Sequence, residues 1–194
     1  MARQHTHRAR PRSSSPLVVN IARLGRRPGA MFALRETVVN PARIGLDLAG
    51  IAADAPLDLD FRVESVSEGV LVSGTVSAPL TGECSRCLTP FHEQIQVDLT
   101  ELFAYSDSLT RATTEEDEVG LVVADTVDLE QPIIDAVGLE LPFSPVCRHD
   151  CPGLCTTCGI ALATADPGHH HDEIDPRWSK LTTMLGDNSG AGSE

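Results

Sequence analysis

With 194 residues the chain has room for one ordinary domain plus appendages. Its 41% hydrophobic content is that of a globular protein, but aromatics reach only 4%, so the core has to be assembled from Val, Leu, Ile and Ala. No run approaches the roughly 18 apolar residues that cross a bilayer, and the N-terminus lacks the apolar stretch of a secretory signal; both observations argue against a membrane or secreted protein and for the cytoplasm, or an organelle reached by another route. The net charge of −13 is divided: residues 1–35 hold eight arginines and no acid, giving +8, so residues 36–194 carry −21. The basic start suits phosphate contact, and the acidic body suits basic protein surfaces.

In chain order, residues 1–15 show no apolar periodicity and read as a disordered basic arm. Order is expected from Pro16, where "PLVVNIARL" (16–24) suits a strand or its approach before "GRRPGA" (25–30) breaks it. Leu57, Leu59, Phe61 and Val63 alternate with Asp58, Asp60, Arg62 and Glu64, the pattern of a half-buried strand. After "SEG" (67–69) a second alternation runs from Val70 to Leu80, which predicts a hairpin, and a third runs through Ile95, Val97, Leu99 and Phe103. Three such strands in succession predict an antiparallel meander or a barrel-like sheet. The acidic "TTEEDEV" (113–119) reads as a solvated loop, and "GLVVADTVDLEQP" as a short strand leading into a helix. That helix carries Leu129, Ile133, Val137 and Leu141 on one stripe, with Pro132 in its first turns. A last helix is expected over 173–186, with Asp175 as N-cap, Pro176 at the first helical position and Trp178, Leu181 and Leu185 on one face; a flexible tail, 187–194, follows it. The fold class is therefore α+β, with a β-rich domain over 16–145 and a cysteine- and histidine-bearing segment over 146–172.

That segment holds "CRHDCPGLCTTCG", four of the six cysteines within residues 147–159. In a reducing compartment such crowding points to metal or redox chemistry and not to disulfides. Cys155 and Cys158 have the C-x2-C spacing by which two thiolates on one turn reach a single zinc ion, and Gly159 supplies the left-handed backbone that such a knuckle commonly needs. Cys147 and Cys151 lie just upstream at C-x3-C, so Cys147, Cys151, Cys155 and Cys158 form the expected closed Zn2+ site. Alternative ligands are visible. Cys84 and Cys87 in "CSRC" are a second C-x2-C, readable also as two small buried side chains at a strand end, and "HHH" (169–171) offers His169 and His171, readable also as a solvated loop. The supply suffices for one site with spares or for two sites.

Enzymatic signals are lacking in the sequence. No His-Glu-x-x-His arrangement, Gly-rich phosphate loop or Gly-x-Ser-x-Gly elbow occurs, and "CSRC" lacks the strand-turn-helix setting of a dithiol oxidoreductase. The expectation is a non-enzyme with no small-molecule substrate. A zinc- or dithiol-dependent enzyme acting on RNA or a ribosomal protein, and a zinc-ribbon transcription adaptor, are the alternatives.

The order "GECSRCLTPF", an acidic stretch, "DLEQPIIDAVGLELPFSPVC", "DCPGLCTTCG" and "IDPRWSKLTTML" resembles the YceD family, the large ribosomal RNA subunit accumulation proteins, over about residues 16–186. The resemblance implies a bacterial or plastid protein needed for accumulation of large-subunit ribosomal RNA, encoded often beside a zinc-bearing large-subunit ribosomal protein. Many zinc-type members carry C-x-C before the last helix where this chain has "HHH", which points to His169 and His171 in place of thiolates. The implied partners are a large-subunit precursor, a basic ribosomal protein and 23S rRNA. For phosphate contact the candidates are Arg23, Arg26, Arg27 and Arg35.

Overall fold

Apolar–polar alternation builds the framework of the computed structural model, which describes residues 15–114, 119–171 and Arg177. The strands and helices are β1 (Val18–Asn20), β2 (Met31–Val39), β3 (Ile44–Gly45), β4 (Ala49–Ile51), β5 (Pro56–Val66), β6 (Gly69–Glu83), β7 (Pro90–Ala104), α1 (Leu109–Thr113), β8 (Gly120–Leu121), β9 (Thr126–Asp128) and α2 (Glu130–Glu140). The basic arm up to residue 14, the centre of the acidic loop (115–118), the tail and the expected C-terminal helix, save Arg177, lie outside the described residues. The described chain falls into two compact units, one ending at His149 and the other beginning at Asp150.

The first unit is an antiparallel sheet with few helices, an α+β arrangement. β5, β6 and β7 form the expected meander, and β6 is its spine: β7 pairs along its whole length from Gly69↔Ala104 to Glu83↔Pro90. Its other edge takes β5 over Asp58↔Ser77 to Val66↔Gly69 and then β4 at Ala49↔Gly82 and Gly50↔Thr81. β2 lies outside β5, β3 outside β4, and β8 pairs parallel with β7 at Phe103↔Gly120. Among the described residues no pairing closes the sheet into a barrel. β1 and β9 form a separate antiparallel ribbon.

One sheet face is apolar because the alternation is strict. Leu57, Leu59, Phe61 and Val63 of β5 are buried, as are Val70, Val72, Val76 and Ala78 of β6 and Val97 and Leu99 of β7, while Asp58, Asp60 and Arg62 face solvent. Each fully buried Leu, Val or Phe contributes about 1.5–3 kcal/mol. Gly74 of β6 is required by its neighbour: at φ +152 a Cβ there would overlap the Asp60 carbonyl oxygen.

α2 adds Leu129, Ile133, Val137 and Leu141 to the same core and packs against β7 and β3. Its start carries no side-chain cap at Leu129; instead Asp128 Oδ1 accepts from the Glu130 N–H at 3.0 Å. Pro132 sits in the first turn, where an N–H has no helical partner to lose. The unit then continues through Pro142 and Pro145 to Cys147.

In the second unit the chain makes a small hairpin. Leu154 and Ala161 pair across an antiparallel bridge, and the Leu162 N–H donates to the Gly153 carbonyl at 3.0 Å. Cys155 to Gly159 form the turn between them.

Candidate metal centres

Both C-x2-C segments fold into the same turn. In the hairpin loop joining β6 to β7, the Leu88 N–H donates to the Cys84 carbonyl at 2.8 Å and the Cys84 N–H to the Thr89 carbonyl at 3.0 Å. In the second unit the Gly159 N–H donates to the Cys155 carbonyl at 2.8 Å and the Cys155 N–H to the Ile160 carbonyl at 2.8 Å. The residue after each second cysteine has a positive φ, +58 at Leu88 and +74 at Gly159. Only the second is a glycine, which is why the sequence announces one knuckle clearly and the other faintly.

The electrostatics match as well. Burial pushes the Cys84 thiol up, but the backbone N–H groups of Cys147, Arg86 and Cys87 directed at it outweigh that and bring it from an ordinary 9.0 down to about 6. At Cys155 the backbone N–H groups of Cys158 and Thr157 and the His169 ring act against burial and again give about 6. In each knuckle the two amides that follow the first cysteine by two and three residues stabilise a thiolate, the form that binds metal.

Each knuckle gathers further donors from its own unit. Around the first, the Ser85 N–H donates to the Pro145 carbonyl at 2.8 Å and the Arg86 guanidinium to the His149 carbonyl at 3.4 Å, which draws residues 145–149 across the loop. Cys147 Sγ thereby lies 3.6 Å from Cys87 Sγ, and the sulfurs of Cys84, Cys87 and Cys147 all fall within 4.8 Å of one another. Around the second, His169 Nε2 is 3.4 Å from Cys158 Sγ and 3.2 Å from His171 Nε2. The sulfurs of Cys155 and Cys158 and the ring nitrogens of His169 and His171 are within 4.8 Å of one another and could hold a metal ion. Two imidazole nitrogens and two sulfurs converging on one small volume are the donor chemistry of a borderline-soft cation.

The set Cys147, Cys151, Cys155 and Cys158 read as one site is therefore divided: Cys147 joins Cys84 and Cys87, whereas Cys155 and Cys158 join His169 and His171. Cys151, the second residue of its unit, is buried at 5% exposure.

Three of the four arginines expected to contact phosphate are engaged within the first unit. The Arg23 guanidinium lies 3.8 Å over the Phe32 ring, and that of Arg26 lies 4.3 Å over Tyr105 while pairing with Asp107 at 3.0 Å. Arg35 Nε pairs with Asp60 at 3.0 Å, and Arg27 is exposed in a turn.

A mostly antiparallel sheet with few helices defines an α+β protein, and the thiols and imidazoles of its two C-x2-C turns could hold metal. The chain belongs to the YceD family: the family model described as large ribosomal RNA subunit accumulation protein YceD matches residues 72–185. It is 68% identical over 189 residues to an uncharacterised protein of Mycobacterium bovis, covering 97% of this chain and 91% of that one. A Mycobacterium tuberculosis protein matches with the same identity and coverage. The chain is also 25% identical over 146 residues to the large ribosomal RNA subunit accumulation protein YCED homolog 1, chloroplastic, of Zea mays, covering 61% of this chain and 50% of that protein. No solved structure matches the chain. Among the described residues no helix is long and apolar enough to cross a membrane.

Proposed function

We propose that this protein is a non-enzymatic factor of the bacterial cytoplasm that supports 23S rRNA accumulation by holding a basic ribosomal protein during assembly of the large subunit. The observation that carries the reading is the family match over residues 72–185, together with the family's description. Contact through protein more than RNA is favoured because Arg26 and Arg35 already pair with Asp107 and Asp60, and because residues 36–194 carry −21, which repels phosphate.

Zinc fits both donor sets, which are thiolate and imidazole throughout. Cys155, Cys158, His169 and His171 would hold one ion. Cys84, Cys87 and Cys147 would hold the other. A bound zinc would supply a structural cross-link at each knuckle, and at Cys155, Cys158, His169 and His171 four protein donors would leave no position for a reacting water. The amides of each knuckle hold the thiolates ready.

Depletion of the protein in a mycobacterium tests the reading. The expected result is a lowered ratio of 23S to 16S rRNA and cosedimentation of the tagged protein with large-subunit precursors, with crosslinks to a ribosomal protein. An unchanged ratio together with a protein found only at the top of the gradient would remove it.

A further inference from the structure

Two large apolar side chains stand in water at the end of α2: Leu139 is 87% exposed and Phe143 is 85% exposed. In a chain with only 4% aromatic residues, an exposed Phe is a costly use of one. Phe143 is also one wall of a groove of about 370 Å³, whose other wall is the loop Gly45–Leu48 with Leu46 and Leu48. A single aliphatic or aromatic side chain fits a cleft of this kind, and such an anchor dominates many protein contacts.

The charges around the groove decide what carries the anchor. Asp47 lines it, and Glu140 lies between Leu139 and Leu141. Both carboxylates are exposed. The ion pairs Arg26–Asp107, Arg35–Asp60 and Arg62–Glu64 neutralise other carboxylates, not these. The Arg43 guanidinium is turned onto the Leu46 carbonyl.

Five occupants can be compared on this chemistry. RNA would meet carboxylates with phosphates. A second copy would oppose acid to acid. The chain's own residues 1–14, "MARQHTHRARPRSS", are basic but offer no Leu, Ile, Val or aromatic ring as an anchor beyond the histidines. Its residues 172–194 offer Trp178 and Leu181 but are net acidic. What remains is another protein.

We propose that the groove between Phe143 and the Gly45–Leu48 loop receives an apolar side chain on a lysine- or arginine-rich segment of a large-subunit ribosomal protein. This rests on the reading of the protein as an assembly factor that works by protein contact, and names the surface and the chemistry of the partner. Leu139 and Phe143 supply the apolar contact; Asp47 and Glu140 select for positive charge.

The test uses the full chain with Leu139→Ser and Phe143→Ser together, and separately with Asp47→Lys and Glu140→Lys together. Since these side chains are exposed or rim a surface groove, Tm and metal content should match the wild type, and each double variant should cosediment with large-subunit precursors about tenfold less. A photo-crosslinking phenylalanine analogue replacing Phe143 should join to a basic peptide of a large-subunit protein. Wild-type levels of cosedimentation by the folded variants would overturn the proposal while leaving the assembly reading intact. So would a crosslink confined to RNA, to a second copy or to this chain's own ends. Absence of the wild-type protein from the particles would remove both.

Discussion

At the scale of single residues, the twin knuckles differ at one place, Leu88 against Gly159. A left-handed conformation costs a non-glycine residue about 1–2 kcal/mol, and Leu88 bears it at φ +58 while being 57% exposed, so it recovers little by burial. Asparagine tolerates that conformation, so Leu88→Asn is expected to stabilise the protein by up to about 1 kcal/mol, read as a rise in Tm; a fall would mean that the Leu88 side chain makes a contact that outweighs its backbone strain. A second residue-scale expectation concerns Glu101. Burial, then the nearby Asp135, raises its pKa above the ordinary 4.5. A carboxyl whose folded pKa is raised contributes stability that is fully present below the unfolded value and lost as pH rises through the folded one. Glu101→Gln should therefore raise Tm at pH 7 relative to wild type and shrink the difference near pH 4, a trend that thermal melts across this range measure.

At the scale of elements, each knuckle depends on a partner segment from its own unit. The β6–β7 loop presents Cys84 and Cys87, and hydrogen bonds from Ser85 and Arg86 fix the stretch carrying Cys147 above it. The Leu154–Ala161 hairpin presents Cys155 and Cys158 to His169 and His171. The donors thus fall into two separate sets. Elemental analysis of protein purified without added metal is expected to give about two zinc ions per chain, with Cys84→Ser and Cys155→Ser each lowering this to about one. Structural zinc contributes roughly 10–16 kcal/mol in small finger peptides, so chelation should abolish a cooperative melt of at least one unit. A single ion lost from both variants alike would restore a shared site built from the four late cysteines.

At the scale of the whole molecule, the division of charge governs what the protein can approach. Exposed ion pairs such as Arg26–Asp107, 61% and 70% exposed, contribute at most about 1 kcal/mol, so their loss should leave the fold standing. Replacing Arg23, Arg26 and Arg27 together by Ala is expected to lower stability by about 1 kcal/mol or less and to leave association with large-subunit precursors within about threefold of wild type. Cosedimentation across a salt series checks it: a log–log slope reduced by about 0.9 for each arginine removed would assign these residues to phosphate contact and reverse the preference for protein.

The sequence by itself determined the sheet and its inward face. Period-2 alternation in Leu57–Val63, Val70–Leu80 and Ile95–Phe103 places every second side chain on one side whatever else the chain does, and the four-residue stripe Leu129–Leu141 does the same for α2. It also held the eight residues that, among the described ones, could bind metal, since C-x2-C spacing and neighbouring imidazoles are local facts. β2 was invisible, because as an edge strand it buries only Leu34 and shows no alternation. Likewise β3 and β4 are too short to carry a period, and their identity comes from pairing with β6. The partition of the cysteines was decided by tertiary structure alone. Spacing along the chain made Cys147 a neighbour of Cys155; the Ser85–Pro145 and Arg86–His149 bonds made it a neighbour of Cys87 instead, 60 positions away. Local spacing says which thiols share a turn, but which turns share an ion depends on contacts that close only when the sheet has formed.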